Sequence, residues 1–91
     1  MIDLKTVKKY GNMFKINFKV INPKVWQYAM NVELEHGKKM HISNVTDDNP
    51  MITAKIALAH IMEYPDYYER LYVMEKEAKE YWKDKEINIF K

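Results

Sequence analysis

The chain has 91 residues, enough for one domain with a single modest core. It contains no cysteine, which excludes a disulfide framework and thiolate chemistry. The net charge of +2 is too small to name a partner, and no apolar run approaches the ~20 residues of a membrane span. The charge is unevenly spread. Residues 1–30 carry six lysines against Asp3, and the remainder carries nine basic residues against twelve acids. Arg70 is the single arginine. Arginine is the usual reader of phosphate and guanine, so its scarcity weighs against nucleic-acid recognition. The opening stretch MIDLKTVKKYG lacks the apolar core of a secretory signal. With no cysteine, this points to a cytoplasmic protein (host-cell cytoplasm, for a viral one).

Asp3 is a good cap for a short helix over Leu4–Tyr10, with Gly11 as its stop. In Met13–Ile21, Phe14, Ile16, Phe18 and Val20 alternate with polar residues, which favours a strand. Its one conceivable partner is Ile87–Phe90. The other reading is an extended connector that drops Ile16, Phe18 and Ile21 into the core. Asn22-Pro23 then opens a second helix, 23–36, because asparagine caps and proline suits the first helical position. Gly37 is its natural stop. Residues 38–48 form a loop, expected to be pinned by Met40, Ile42 and Val45. Asp47 and Asp48 lack the spacing of a calcium loop and read better as caps of the next helix.

Asn49-Pro50 repeats the cap-and-proline signal and opens the most apolar stretch, 50–63. A helix apolar on most sides is the buried one. Pro65 ends it and starts a fourth helix, about 66–85. There Tyr67, Leu71, Met74, Ala78 and Tyr81 make an inner stripe. The expected fold is therefore all-α. Residues 1–91 form one bundle of three main helices after a short first one, with a core including Ile16, Phe18, Trp26, Ala29, Val32, Ile56, Ala57, Leu58, Ile61, Leu71 and Met74.

Three strings resemble a known family: Ile16-Asn17-Phe18, AMNVELEHG (29–37) and NVTDDNPMITAKIALAHIMEYPDYYERL (44–71). They are similar to a small domain of unknown function with the pattern ELEH, a loop, then IALAHL-x-E-x-P-x-YY-x-R/K-L. That family is associated with bacteria, phages and large viruses, and the likeness covers most of the chain. The resemblance supplies no reaction. It implies helices at 23–36, 51–63 and 66–83, and makes 13–21 a connector and not a strand.

Two short motifs could carry chemistry. Glu33 and His36 form E-x-x-H, and His60 and Glu63 form H-x-x-E, each at a spacing that shares a helical face. Paired units of this kind build the di-iron sites of ferritin-like bundles, and imidazole with carboxylate also suits zinc or manganese. Both pairs lie at helix C-terminal ends, so convergence needs near-parallel packing, a steep crossing or a second subunit. The plainer reading is structural. Histidine suits a helix C-terminus, and a buried His60 would be held by a carboxylate or a tyrosine hydroxyl. His41 reads as a surface residue. Tyr64, Tyr67 and Tyr68 are either a recognition patch or packing around Pro65. Lys5, Lys8, Lys9, Lys15 and Lys19, interleaved with Phe14, Trp26 and Tyr28, are either phosphate contacts or a solvated face. No P-loop, nucleophile elbow or dinucleotide fingerprint is present, and Ser43 is the single serine. The expected function is a small non-catalytic interaction module, such as an accessory protein of a virus or mobile element, with a protein partner or a second copy. The alternatives are a divalent-metal protein using Glu33, His36, His60 and Glu63, and a weak nucleic-acid binder.

Overall fold

The computed structural model describes residues 1–90. Four α-helices follow one another: α1 (Leu4–Met13), α2 (Pro23–Leu34), α3 (Pro50–Glu63) and α4 (Tyr67–Trp82), with one 3-10 turn at His41–Ser43. Among the described residues there is no strand, so neither 13–21 nor 87–90 pairs as a ribbon. Helix α2 packs against all three others and is the spine of the bundle.

Side-chain caps set the helix starts. Asp3 accepts from the Thr6 amide, Asn22 from that of Lys24, and Asn49 from those of Met51 and Ile52. Each satisfies N–H groups that the first turn leaves without a partner. Pro23 and Pro50 occupy the first helical positions, where no N–H is needed. The buried Thr53 side chain returns a hydrogen bond to the Asn49 carbonyl.

The ends are less regular. Helix α1 does not stop at Gly11 but runs on to Met13. Gly11 is buried, and a Cβ there would overlap Phe18 Cζ and sit 3.1 Å from Trp26 Nε1. Its role is close approach, not termination. The stop comes at Lys15, which takes φ 60°. The Lys15 and Ile16 amides bond back to the Asn12 and Gly11 carbonyls, the paired bonds that usually employ glycine in the left-handed position. Asn17 then organises a turn, accepting from the Lys19, Val20 and Ile21 amides.

Helix α2 ends at Leu34, and Glu35 to Gly37 continue in tight turns. The following loop is fastened at its base by polar groups. The His36 carbonyl accepts from the Val45 and Thr46 amides, and Asp48 accepts from the Lys38 amide at 2.8 Å. Gly37 leaves the room that Thr46 and Asp48 fill. Asp47 and Asp48 both have positive φ and serve this closure, while Asn49 alone caps α3. The expected apolar pins are absent: Met40, Ile42 and Val45 are all exposed. A loop closed by its own hydrogen bonds leaves such side chains no hollow to fill.

The core is Val7, Trp26, Ala29, Met30, Val32, Ala54, Ala57, Ile61 and Tyr68, with Ile16, Phe18, Leu58 and Leu71 half-buried against it. Ile56 is partly exposed, and Met74 is exposed, contrary to expectation. For Met74 the reason lies in α4. Its first turns seat Tyr67, Tyr68 and Leu71 on the bundle, and its later turns run past the last residues that could cover them. The molecule extends 43 Å along its long axis and 23 Å along its shortest.

Candidate functional site

The most concentrated polar chemistry is a cluster with one residue from each of three helices. Glu33 is in the last turn of α2, His60 in the last turn of α3 and Tyr68 in the first turn of α4. The Tyr68 hydroxyl donates to Glu33 Oε2 at 2.7 Å. His60 Nδ1 lies 3.0 Å from the Tyr68 oxygen and 3.4 Å from Glu33 Oε2. Because the Tyr68 proton is committed to Glu33, Nδ1 must supply the proton of the second bond. In the neutral ring Nε2 is then the bare nitrogen. The imidazole stacks on Tyr67, with centroids 4.3 Å apart and planes inclined by 9°.

Tyr68 is fully buried and Glu33 nearly so, whereas a third of the His60 side chain is exposed. A buried carboxylate needs partners, and Glu33 has them in the Tyr68 hydroxyl and the His60 ring. Burial, reinforced by the bond to Glu33, pushes the ionisation of the Tyr68 phenol far above its ordinary value. That direction is wrong for a nucleophile or base, which must ionise near working pH. Around the cluster, Tyr28 meets Tyr68 and Tyr72 edge-on, at 6.3 and 5.9 Å. Burial, and then Glu75 and Glu35 nearby, raise the Tyr28 phenol too.

The four candidate metal ligands are divided. Glu33 and His60 come together within one chain, their helices bringing their last turns into reach. His36 lies beyond the end of α2, and Glu63 is the final residue of α3; both are exposed. Glu33 and His36 therefore do not share a regular helical face. Among the described residues no group of three or more His, Cys, Asp or Glu side chains is placed to hold a metal ion.

The tyrosines of the Pro65 corner are divided as well. Tyr64 is exposed and Tyr67 half-buried, and both line a shallow hollow with Leu71 and Met74. Tyr68, expected on a recognition surface, is the hub of the buried cluster instead. Lys5, Lys8 and Lys9 lie on the exposed side of α1, and Lys15 and Lys19 are exposed in the connector. The aromatics interleaved with them turn inward: Trp26 is fully buried and donates Nε1–H to the Val7 carbonyl at 2.7 Å, and Phe14 packs on the core. His41 is exposed.

Composition and spacing gave no warning of two further features. One is the tie between Asn31 and Ile2. The Asn31 side chain accepts from the Ile2 amide at 2.7 Å and donates to its carbonyl at 3.1 Å, fixing the chain ahead of α1 to α2. The other is the uncovered second half of α4, where Met74, Tyr81 and Trp82 are each about half exposed. No helix is long and apolar enough to cross a membrane among the described residues.

No curated protein and no solved structure matches the chain. A family model described as "Protein of unknown function (DUF5661)" matches residues 7–77, which hold the whole three-helix cluster, and the chain belongs to that family.

Proposed function

We propose that the protein is a non-catalytic binding module that docks another polypeptide on the inner face of the second half of α4. One observation carries this reading. The stripe that seats Tyr67 and Leu71 on the bundle continues through Met74, Ala78 and Tyr81, with Trp82 beside it, where the bundle no longer covers it. Exposed aromatic and methionine side chains in a row are what a protein-binding surface is made from. The Glu33–His60–Tyr68 cluster supports the same reading, since its buried polar atoms are engaged with one another. It joins α2, α3 and α4 and so sets the angle at which α4 leaves the bundle.

The test is capture from the native host by the tagged chain, run beside a Met74→Ser/Tyr81→Ser/Trp82→Ser variant. A protein retained by the first and lost from the second supports the reading. Identical capture by both removes α4 as the docking surface. Turnover of any substrate that His60→Ala abolishes, with the fold intact, overturns the non-catalytic reading. A melting temperature raised by zinc, manganese or iron(II) and lowered by chelator would favour the metal-binding alternative.

A further inference from the structure

We infer that the partner of α4 is a second copy of this chain, lying antiparallel along the same face. The inference rests on the docking surface proposed above and adds the identity of its occupant. The argument starts from area. A compact monomer of 11.0 kDa exposes roughly 5,600 Å². This chain exposes 7289 Å². Its radius of gyration is 14.4 Å, against about 12 Å for a compact domain of this length. The excess, roughly 1,700 Å² per chain, is well above the ~800 Å² per partner of a standard interface and falls in the range of permanent homodimers.

About half of the exposed large apolar side chains lie beyond Leu71. Beyond Leu71 the apolar residues Met74, Tyr81 and Trp82 are exposed along α4, and Ile87, Ile89 and Phe90 are exposed in the tail that follows. A two-fold axis across α4 lays each uncovered half on the other and places the two bundles at opposite ends, where they do not collide. Ala78, small and central in the stripe, lets the two helices approach. The same operation carries each tail past the first half of the other copy's α4. There a groove of about 350 Å³ runs between α2 and α4, lined by Val25, Tyr28, Tyr68 and Tyr72, with Lys24 and Glu69 at its rim. Residues 83–85 turn off the helix end, the Lys85 amide donating to the Trp82 carbonyl. The five residues beyond them, 86–90, span about 16 Å when extended, a length that can lay Ile87, Ile89 and Phe90 along the groove. The occupant is thus this chain's own apolar tail, and both contacts occur twice, as two-fold symmetry requires.

The experiment is sedimentation equilibrium of the full chain from low-micromolar to near-millimolar concentration, with helicity and melting recorded in parallel. The expected mass rises from 11.0 kDa to twice that value. Tyr81→Glu/Trp82→Glu should abolish the doubling and leave helicity unchanged, because both side chains are exposed in the single chain. Ile87→Ser/Ile89→Ser/Phe90→Ser should weaken dimerisation at least tenfold without abolishing it. A dimer that survives Tyr81→Glu/Trp82→Glu overturns the inference. A chain that stays monomeric throughout, yet captures another protein through Met74, Tyr81 and Trp82, overturns the second copy and keeps the docking surface. A monomer with no such capture overturns both.

Discussion

The two tryptophans, one in the core and one in the last turn of α4, show what a small core can cover. Trp26 is fully buried on α2, its ring against Gly11 and its indole N–H bonded to the Val7 carbonyl. Trp82 ends α4 with nearly half its surface in water, edge-on to a Tyr81 ring that carries the Lys85 ammonium, 4.1 Å from its centroid. Both residues belong to helices with an apolar face. The faces differ in their neighbours: α2 touches every other helix, whereas α4 outruns them. Periodicity announces that a face seeks cover and is silent on what supplies it.

The same substitution at both positions gives the largest contrast. Trp26→Ala removes a buried indole and leaves a cavity, so a cost of about 3–5 kcal/mol is expected, close to the whole stability of a domain this size. Trp82→Ala should stay within about 0.5 kcal/mol at concentrations where the chain is monomeric. Equal losses in thermal or urea melts would mean that α4 is covered within the single chain.

The joint between the two regions comes next. Tyr68→Phe keeps the ring and deletes the hydroxyl that donates to Glu33, leaving a buried carboxylate with His60 alone. A loss of about 1–3 kcal/mol is expected. The pH dependence identifies the cause. A phenol whose ionisation is raised by folding contributes stability that is intact below its unfolded value of 10.0 and is lost as pH climbs above it. Wild-type stability should therefore fall above pH 10, and Tyr68→Phe should blunt that fall. An unchanged alkaline slope in the variant would show that Tyr68 does not govern it.

Gly11→Ala is the smaller test of the bundle end, and its sign is informative. In a helix interior the change gains about 1 kcal/mol from propensity. Here the new methyl meets Phe18 and Trp26, and overpacking costs about 1–3 kcal/mol. The half-buried Phe18 ring can yield, but the indole, held by Val7, cannot yield as freely. A net loss of about 1 kcal/mol is expected, read as a lowered melting temperature. A gain would mean that Gly11 is an ordinary helical glycine.

Much of this was legible in the sequence because local chemistry controls it. Asn22-Pro23 and Asn49-Pro50 mark their helix starts to the residue, and Pro65 separates α3 from α4. That a carboxylate or a tyrosine hydroxyl would hold His60 was foreseeable from its apolar setting, and the structure supplies both, although a third of the side chain stays exposed and is not buried as expected. What stayed hidden depends on distant parts of the chain. Tyr68 reaches Glu33 across 35 positions, and no period or motif records such a bond. Gly11 looks like a stop until the Phe18 ring is placed against it. The E-x-x-H motif assumes a helix that persists to His36, but the turns at Glu35–Gly37 end it first. The loop's apolar residues suggested anchoring, while Thr46, Asp48 and the His36 carbonyl perform it.

Lys15 gives the smallest expected effect at the bundle end. It holds φ 60° at the end of α1, where both return hydrogen bonds depend on that conformation. A side chain in the left-handed region costs roughly 1–2 kcal/mol relative to glycine. Glycine, in turn, loses about 0.5–1 kcal/mol more chain entropy on folding. Lys15→Gly should thus stabilise the bundle end by less than about 1 kcal/mol and leave α4 untouched. The substitution also separates two roles for the connector lysines. If Lys15 is only a solvated cation, the variant melts higher and behaves identically toward polyanions at every salt concentration. If it is retained for phosphate, the variant melts higher and its nucleic-acid affinity loses salt dependence equivalent to about one released counterion. A lower melting temperature would contradict the reading of this turn altogether, because it would mean that the lysine side chain makes a contact worth more than the strain it carries.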